Sequence, residues 1–199
     1  KAPDRSGLKM IDIENLVVRA GEIVGIAGIS GNGQKELIEV LAGQRPKQAG
    51  EIRVNGKPYG ATRAETRASN VRFIPEEPLH NACAPRMTVT ENLAFRTFDL
   101  NGGDQNALWL NRSAMRRQTT RLVGEFRIRA PSASSPIAAL SGGNVQRAVL
   151  ARELTGKVDL LIVCNPCFGL DFSAVAEIRS RIMKARNGGA AVPRASILD

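Results

Sequence analysis

At 199 residues with 43% hydrophobic side chains, the chain can bury one substantial core, and globular size statistics favour one domain over two. Three cysteines do not make a disulfide framework, so a reducing cytoplasm is the default; no run approaches the roughly 18 apolar residues of a membrane span, and KAPDRSGLKM lacks the apolar stretch of a secretory signal, so a soluble protein is expected. The net charge of +9 would suit nucleic acid, but its arginines are scattered, with one local pair at Arg116 and Arg117 and no aromatic stacking platform, so no nucleic acid partner is expected.

In chain order, Ile11, Ile13 and Leu16 to Val18 are apolar strand material ahead of a turn at Ala20 to Glu22, and IVGIAG is a short apolar run ending in glycine, the pattern of a buried parallel strand. The spacing of Leu37, Ile38, Val40 and Leu41 is helical, with Gly43 placed as its C-cap. EIRVNGKPY predicts a hairpin turning on Asn55-Gly56, VRFIP predicts a strand closed by Pro75, and residues 76–86 read as loop. Thr88 and Glu91 have capping-box spacing ahead of ENLAF, and NRSAMRRQTTRLVGEF reads as a polar amphipathic helix. A Ser/Pro/Ala linker over 131–136 leads into LSGGNVQRAVLAREL, a glycine turn opening a helix; LLIV is a strand, and SAVAEIRSRIMKAR is a helix ending near Gly188. Ala190 to Val192 starts a last strand that residues 193–199 are not expected to continue. Strands alternating with helices predict an α/β fold with a mainly parallel sheet.

Between the first apolar strand and its helix, GISGNGQK (Gly28, Ser30, Gly31, Asn32, Gly33, Gln34, Lys35) fits the glycine frame of a phosphate-binding loop. Glycines let backbone N–H groups crowd round phosphate oxygens, and the following helix directs its positive end at the same anion. The chemistry departs from that frame: the position of the phosphate lysine holds Gln34, and the position of the magnesium-binding Ser/Thr holds Lys35. One helical step turns a side chain by about 100°, so Lys35 does not simply replace the lysine. A neutral amide can hydrogen-bond phosphate but cannot neutralise charge developing in phosphoryl transfer.

LSGGNVQ, Leu140 to Gln146, resembles the LSGGQ-type signature of ABC ATPases, and LLIVCNPCFGLD resembles that family's Walker B strand and D-loop. The resemblance covers roughly Leu8 to Gly189. It implies a P-loop NTPase (RecA-like) core with an antiparallel β subdomain, over residues 1–77 and 140–199, and an inserted helical subdomain over 78–139. It also implies head-to-tail pairing with a second ABC ATPase domain, expected on the same natural chain, with ATP between the phosphate loop of one and the signature of the other.

By the same resemblance Cys164 stands where the magnesium-associated aspartate belongs and Asn165 where the general-base glutamate belongs, so no metal site is expected in this pocket; Mg²⁺ is expected at the partner-supplied site. Glu76 takes the place of the Q-loop glutamine that senses nucleotide, and Asp171 that of the D-loop aspartate. GNGQ together with PEE resembles the C-terminal half of tandem ATPases of simple-sugar and nucleoside importers. That implies permease partners, a peripheral place on the inner face of the cell membrane, and Ser141, Gly142 and Gly143 acting in trans on the partner's ATP. Departures are Pro78 in place of an arginine, the lack of an aromatic residue near Asp4 and Arg5 where the family stacks adenine, and the lack of a switch histidine; His80 reads as a surface residue. Two alternatives stay open: a non-catalytic nucleotide-binding regulatory module of the repair or translation type, and a thiol oxidoreductase built on Cys164-Asn165-Pro166-Cys167.

Overall fold

The computed structural model describes residues 1–3, 10–29, 31–99, 110–167, 170 and 172–198. Ser30 and Asp171 lie outside the described residues, as do Asp4 and Arg5. In chain order the elements are β1 (Ala2–Pro3), β2 (Met10–Ile11), β3 (Ile23–Ile29), α1 (Gln34–Leu41), β4 (Arg53–Val54), β5 (Lys57–Pro58), α2 (Arg63–Ala68), β6 (Val71–Ile74), α3 (Pro78–Asn81), α4 (Val89–Ala94), α5 (Arg112–Glu125), α6 (Gly142–Glu153), β7 (Leu160–Cys164), α7 (Phe172–Asn187) and β8 (Val192–Leu198), with a 3₁₀ turn at Ile137–Ala139. They form two compact units: residues 1–75, 156–166 and 179–199 in the first, and 76–155 with 167–178 in the second.

The first unit is built on a parallel four-stranded sheet in the order β3-β8-β7-β6. Ile38 of α1 is buried in an apolar cluster with Val54, Tyr59, Val71, Ile162 and Cys164. Each fully buried aliphatic side chain there contributes roughly 1.5–3 kcal/mol. The helix ends as its sequence predicts: Gly43, at φ 76°, donates to Val40 O, and Gln44 N donates to Glu39 O, the two bonds of a Schellman cap. The hairpin also forms, with Val54 paired to Lys57 and both Asn55 (φ 51°) and Gly56 (φ 75°) left-handed, as a type I′ turn requires.

Three expectations are corrected. The strand read over 11–18 is confined to Met10–Ile11. Ile13, Leu16 and Val17 are exposed, and β2 pairs with β1 at Ala2↔Ile11 and Pro3↔Met10. The segment 76–86 is not all loop, since Pro78, whose fixed φ suits the first helical position, opens the single turn α3. The last strand does continue past Pro193: β8 pairs with β3 from Ile23↔Val192 to Ile29↔Leu198. Ala191 N donates to Asp159 O on the β7 side and Val192 N donates to Glu22 O on the β3 side. By this alternation the donor missing at Pro193 falls on the β7 side, where pairing resumes at Val163↔Arg194. The long ladder to β3 is therefore untouched by the proline.

In the second unit α3, α4 and α5 pack on α6, burying Leu93, Leu122, Val145, Val149 and Leu150. Thr88 and Glu91 form the expected capping box: Thr88 Oγ1 accepts from Glu91 N at 3.1 Å, and Glu91 Oε2 accepts from Thr88 N at 2.8 Å. Asn92, buried, fastens the incoming loop by accepting from Ala84 N and donating to Ala84 O, Met87 O and Thr88 O.

Candidate functional site

The phosphate-loop residues lie in the first unit, where β3 runs into α1. Gly33 precedes the helix at φ 93°, and a Cβ there would stand 2.9 Å from Ile11 Cγ1, so both backbone and packing require glycine. Among the described residues no side chain caps α1. Gln34 is buried, and its amide lies on Gly28: a Cβ on Gly28 would come within 1.9 Å of Gln34 Nε2. The glutamine thus curls back over the loop. Asn32 and Lys35 are exposed, Lys35 in the first turn of α1.

The donor set of this pocket does not suit magnesium. Mg²⁺ takes oxygen ligands, whereas the loop carries an exposed ammonium at Lys35, and Cys164 is buried at the end of β7 in the apolar cluster beneath α1. Asn165 follows at φ 38°, a conformation asparagine adopts more readily than most residues, and it carries no carboxylate. Among the described residues no group of three or more His, Cys, Asp or Glu could hold a metal ion. The setting of Cys164 also speaks against the thiol oxidoreductase alternative. A reactive thiolate needs an electropositive, accessible place such as a helix N-terminus, and Cys164 ends a strand among apolar side chains.

The signature residues lie in the second unit at the start of α6. Ser141 is its N-cap (φ −64°, ψ 154°), but its hydroxyl makes no capping bond to the helix backbone. Instead Ser141 Oγ accepts from Asn144 Nδ2 at 2.8 Å, while Asn144 Oδ1 accepts from Arg129 N at 2.8 Å. Among the described residues Gly142 has no neighbouring atom within 4 Å of where a Cβ would stand, and the nearest to Gly143 is Leu170 Cδ2 at 3.9 Å. Neither glycine has a positive φ. Among the described residues nothing requires glycine at these two positions.

Glu76 is half-buried and its carbonyl accepts from Asn81 Nδ2 at 2.7 Å, which ties it to α3. His80 is exposed, as expected. The expected site residues therefore separate into a phosphate loop in the first unit and Glu76 with Ser141 to Gly143 in the second. Asn144 and Arg129 escaped the sequence reading; the available signal was the short amide three residues after Ser141, at the spacing where an N-cap meets its helix.

A protein-family profile described as ABC transporter matches residues 11–167. The chain is 38% identical over 196 residues to the glucose import ATP-binding protein TsgD13 of Haloferax volcanii, covering 96% of this chain and 35% of that protein. It is 33% identical to the guanosine import ATP-binding protein NupO of Bacillus subtilis, covering 95% of this chain and 37% of that one. With the nucleoside import ATP-binding protein NupA of Lactococcus lactis subsp. cremoris it shares 36% identity, over 94% of this chain and 37% of that protein. The chain thus spans about a third of the length of these relatives. In fold it is similar to the ATP-binding cassette MJ0796 in a dimeric post-hydrolysis state bound to ADP and Pi, with TM-score 0.73 at 20% identity over 93% of this chain and 78% of that one.

Proposed function

Given that the chain belongs to the ABC transporter family of ATP-binding domains, we propose that it is one ATPase domain of an importer for simple sugars or nucleosides and works as half of an asymmetric pair. Ser141, Gly142 and Gly143 close on ATP held by the phosphate loop of a second ABC ATPase domain, where the N-terminal amides of α6 stabilise transition-state charge. Hydrolysis takes place in that partner pocket, with Mg²⁺ held there. The Gly28-to-Lys35 loop of this chain binds ATP weakly or without turnover, Glu76 senses nucleotide and Asp171 communicates across the pair. The helical lobe, residues 78–139, docks on permease subunits at the inner face of the membrane. No described helix is long and apolar enough to cross it.

What carries this reading is the pair of signature glycines. Glycine weakens a helix by about 1 kcal/mol relative to alanine, and among the described residues neither backbone angle nor packing calls for it. Bare backbone at an uncapped helix start suits an anion brought by another molecule. The length of the relatives supports a partner on the same natural chain, since this chain spans only 35 to 37% of them. Relatives named for glucose, guanosine and nucleosides support the solute class.

The test is ATP turnover by the full-length protein carrying either Ser141→Arg or Lys35→Ala. Ser141→Arg is expected to lower turnover by ~100-fold or more, the scale of losing a transition-state donor, while Lys35→Ala retains most of it. Loss of activity on Lys35→Ala with Ser141→Arg harmless would reverse the assigned roles.

A further inference from the structure

The carboxamide of Asn144 is held at both ends, by Arg129 N at 2.8 Å and by Ser141 Oγ at 2.8 Å. Its orientation is fixed by chemistry. A main-chain N–H can only donate, so the atom facing Arg129 N must be the amide oxygen, and the amino group must face Ser141. The Ser141 hydroxyl therefore acts as acceptor toward Asn144.

A hydroxyl has one proton and two acceptor lone pairs. With a lone pair taken by Asn144 Nδ2, its proton is left for another acceptor, and none is found among the described residues. A serine N-cap ordinarily spends its oxygen on the N–H of the second or third helical residue. Ser141 does not; Asn144 N donates to Ser141 O at 2.9 Å, and among the described residues the Ser141 hydroxyl proton and the amides of Gly142 and Gly143 remain available together. Replacing the amide by a carboxylate of the same shape, as in Asn144→Asp, would reverse this: one carboxylate oxygen could still accept from Arg129 N, but the other could only accept from Ser141.

We propose that Asn144 is a positioning residue that sets the polarity of the Ser141 hydroxyl, holding it as a donor for the terminal phosphate of the ATP bound by the partner domain. This rests on the reading that Ser141 acts in trans. The ligand class is a nucleoside triphosphate, read through its γ-phosphoryl oxygens. Arg129 serves as the anchor, so residues before the linker fix the working end of the signature helix.

The experiment is a double-mutant cycle on ATP turnover by the full-length protein, with Asn144→Asp, Asn144→Ala, Ser141→Ala and the two double variants. Asn144→Asp is expected to cut kcat by ~100-fold, and Asn144→Ala by about 10-fold, with KM for ATP changed less than about 3-fold, since a transition-state donor acts on kcat. In the Ser141→Ala background both Asn144 substitutions are expected to change kcat by less than about 3-fold. Asn144→Asp acting equally strongly in that background would mean it works by charge or by folding, and would overturn the inference. If Ser141→Ala lowers turnover while both Asn144 variants leave it intact, the positioning role falls and the trans reading stands. If Ser141→Ala leaves turnover unchanged, both fall.

Discussion

Glu153, at the C-terminal end of α6, is 1% exposed and ionised. Burial alone would raise its carboxyl, but Arg152 first and Arg96 next outweigh burial and hold it below the usual carboxylate range. Arg152 Nε donates to Glu153 Oε1 at 2.8 Å and Arg96 Nε to the same oxygen at 3.2 Å, while Arg152 Nη1 reaches Ala82 O at 2.8 Å and its guanidinium stands 5.4 Å from the Phe95 ring centre. Removing one member of such a buried pair leaves an uncompensated charge. Glu153→Gln is expected to cost ~3 kcal/mol at pH 7, or a Tm loss of about 10 °C. Because the folded carboxyl titrates below its unfolded value of about 4.3, its contribution is full above that value and fades as pH falls through the lower folded one. The difference between variant and wild type should therefore narrow toward pH 3; urea unfolding that shows the same gap at pH 7 and pH 3 would contradict the ion-pair account. Cys83 lies beside this network, and burial pushes its thiol up to about 11. Its alkylation rate should rise through that pH and not through the ordinary thiol range near 8.5.

Among the elements, those set by near neighbours were legible in the sequence. The Thr88 and Glu91 box, the Asn55-Gly56 turn and the Gly43 cap each depend on residues within a few positions, and each forms as read. What was not legible depends on distant partners. β8 persists through Pro193 because β3, far off in the chain, supplies the ladder. The site divides the same way: the glycine frame was readable, while the amide of Gln34 on Gly28 and the Asn144 link to Arg129 required three dimensions. Two glycine substitutions separate fold from function. In Gly43→Ala the new Cβ would stand 2.4 Å from Ala61 O, a backbone atom, at a left-handed φ, so a loss of ~2 kcal/mol or more is expected by denaturant unfolding. Gly142→Ala meets nothing within 4 Å among the described residues and should leave stability unchanged or raise it by up to ~1 kcal/mol. Its turnover in the full-length protein should nevertheless fall at least ~10-fold, since the methyl group occupies space kept for the partner's phosphate; unchanged turnover would remove the reason offered for that glycine.

At the scale of the whole molecule, the proposed reading assigns the departures at Gln34, Lys35, Cys164 and Asn165 to one ATP site and Ser141 to Gly143 to another. Asymmetry between two ATP sites, and not loss of function, is therefore expected. This domain by itself should hydrolyse ATP no faster than background, and robust magnesium-dependent turnover by the lone domain would refute that. The most direct measurement is the stoichiometry of vanadate-trapped ADP in the full-length protein with its permease. One ADP per pair of ATPase domains is predicted, bound in the partner's pocket; two per pair, with one held at Gly28 to Lys35, would contradict the account.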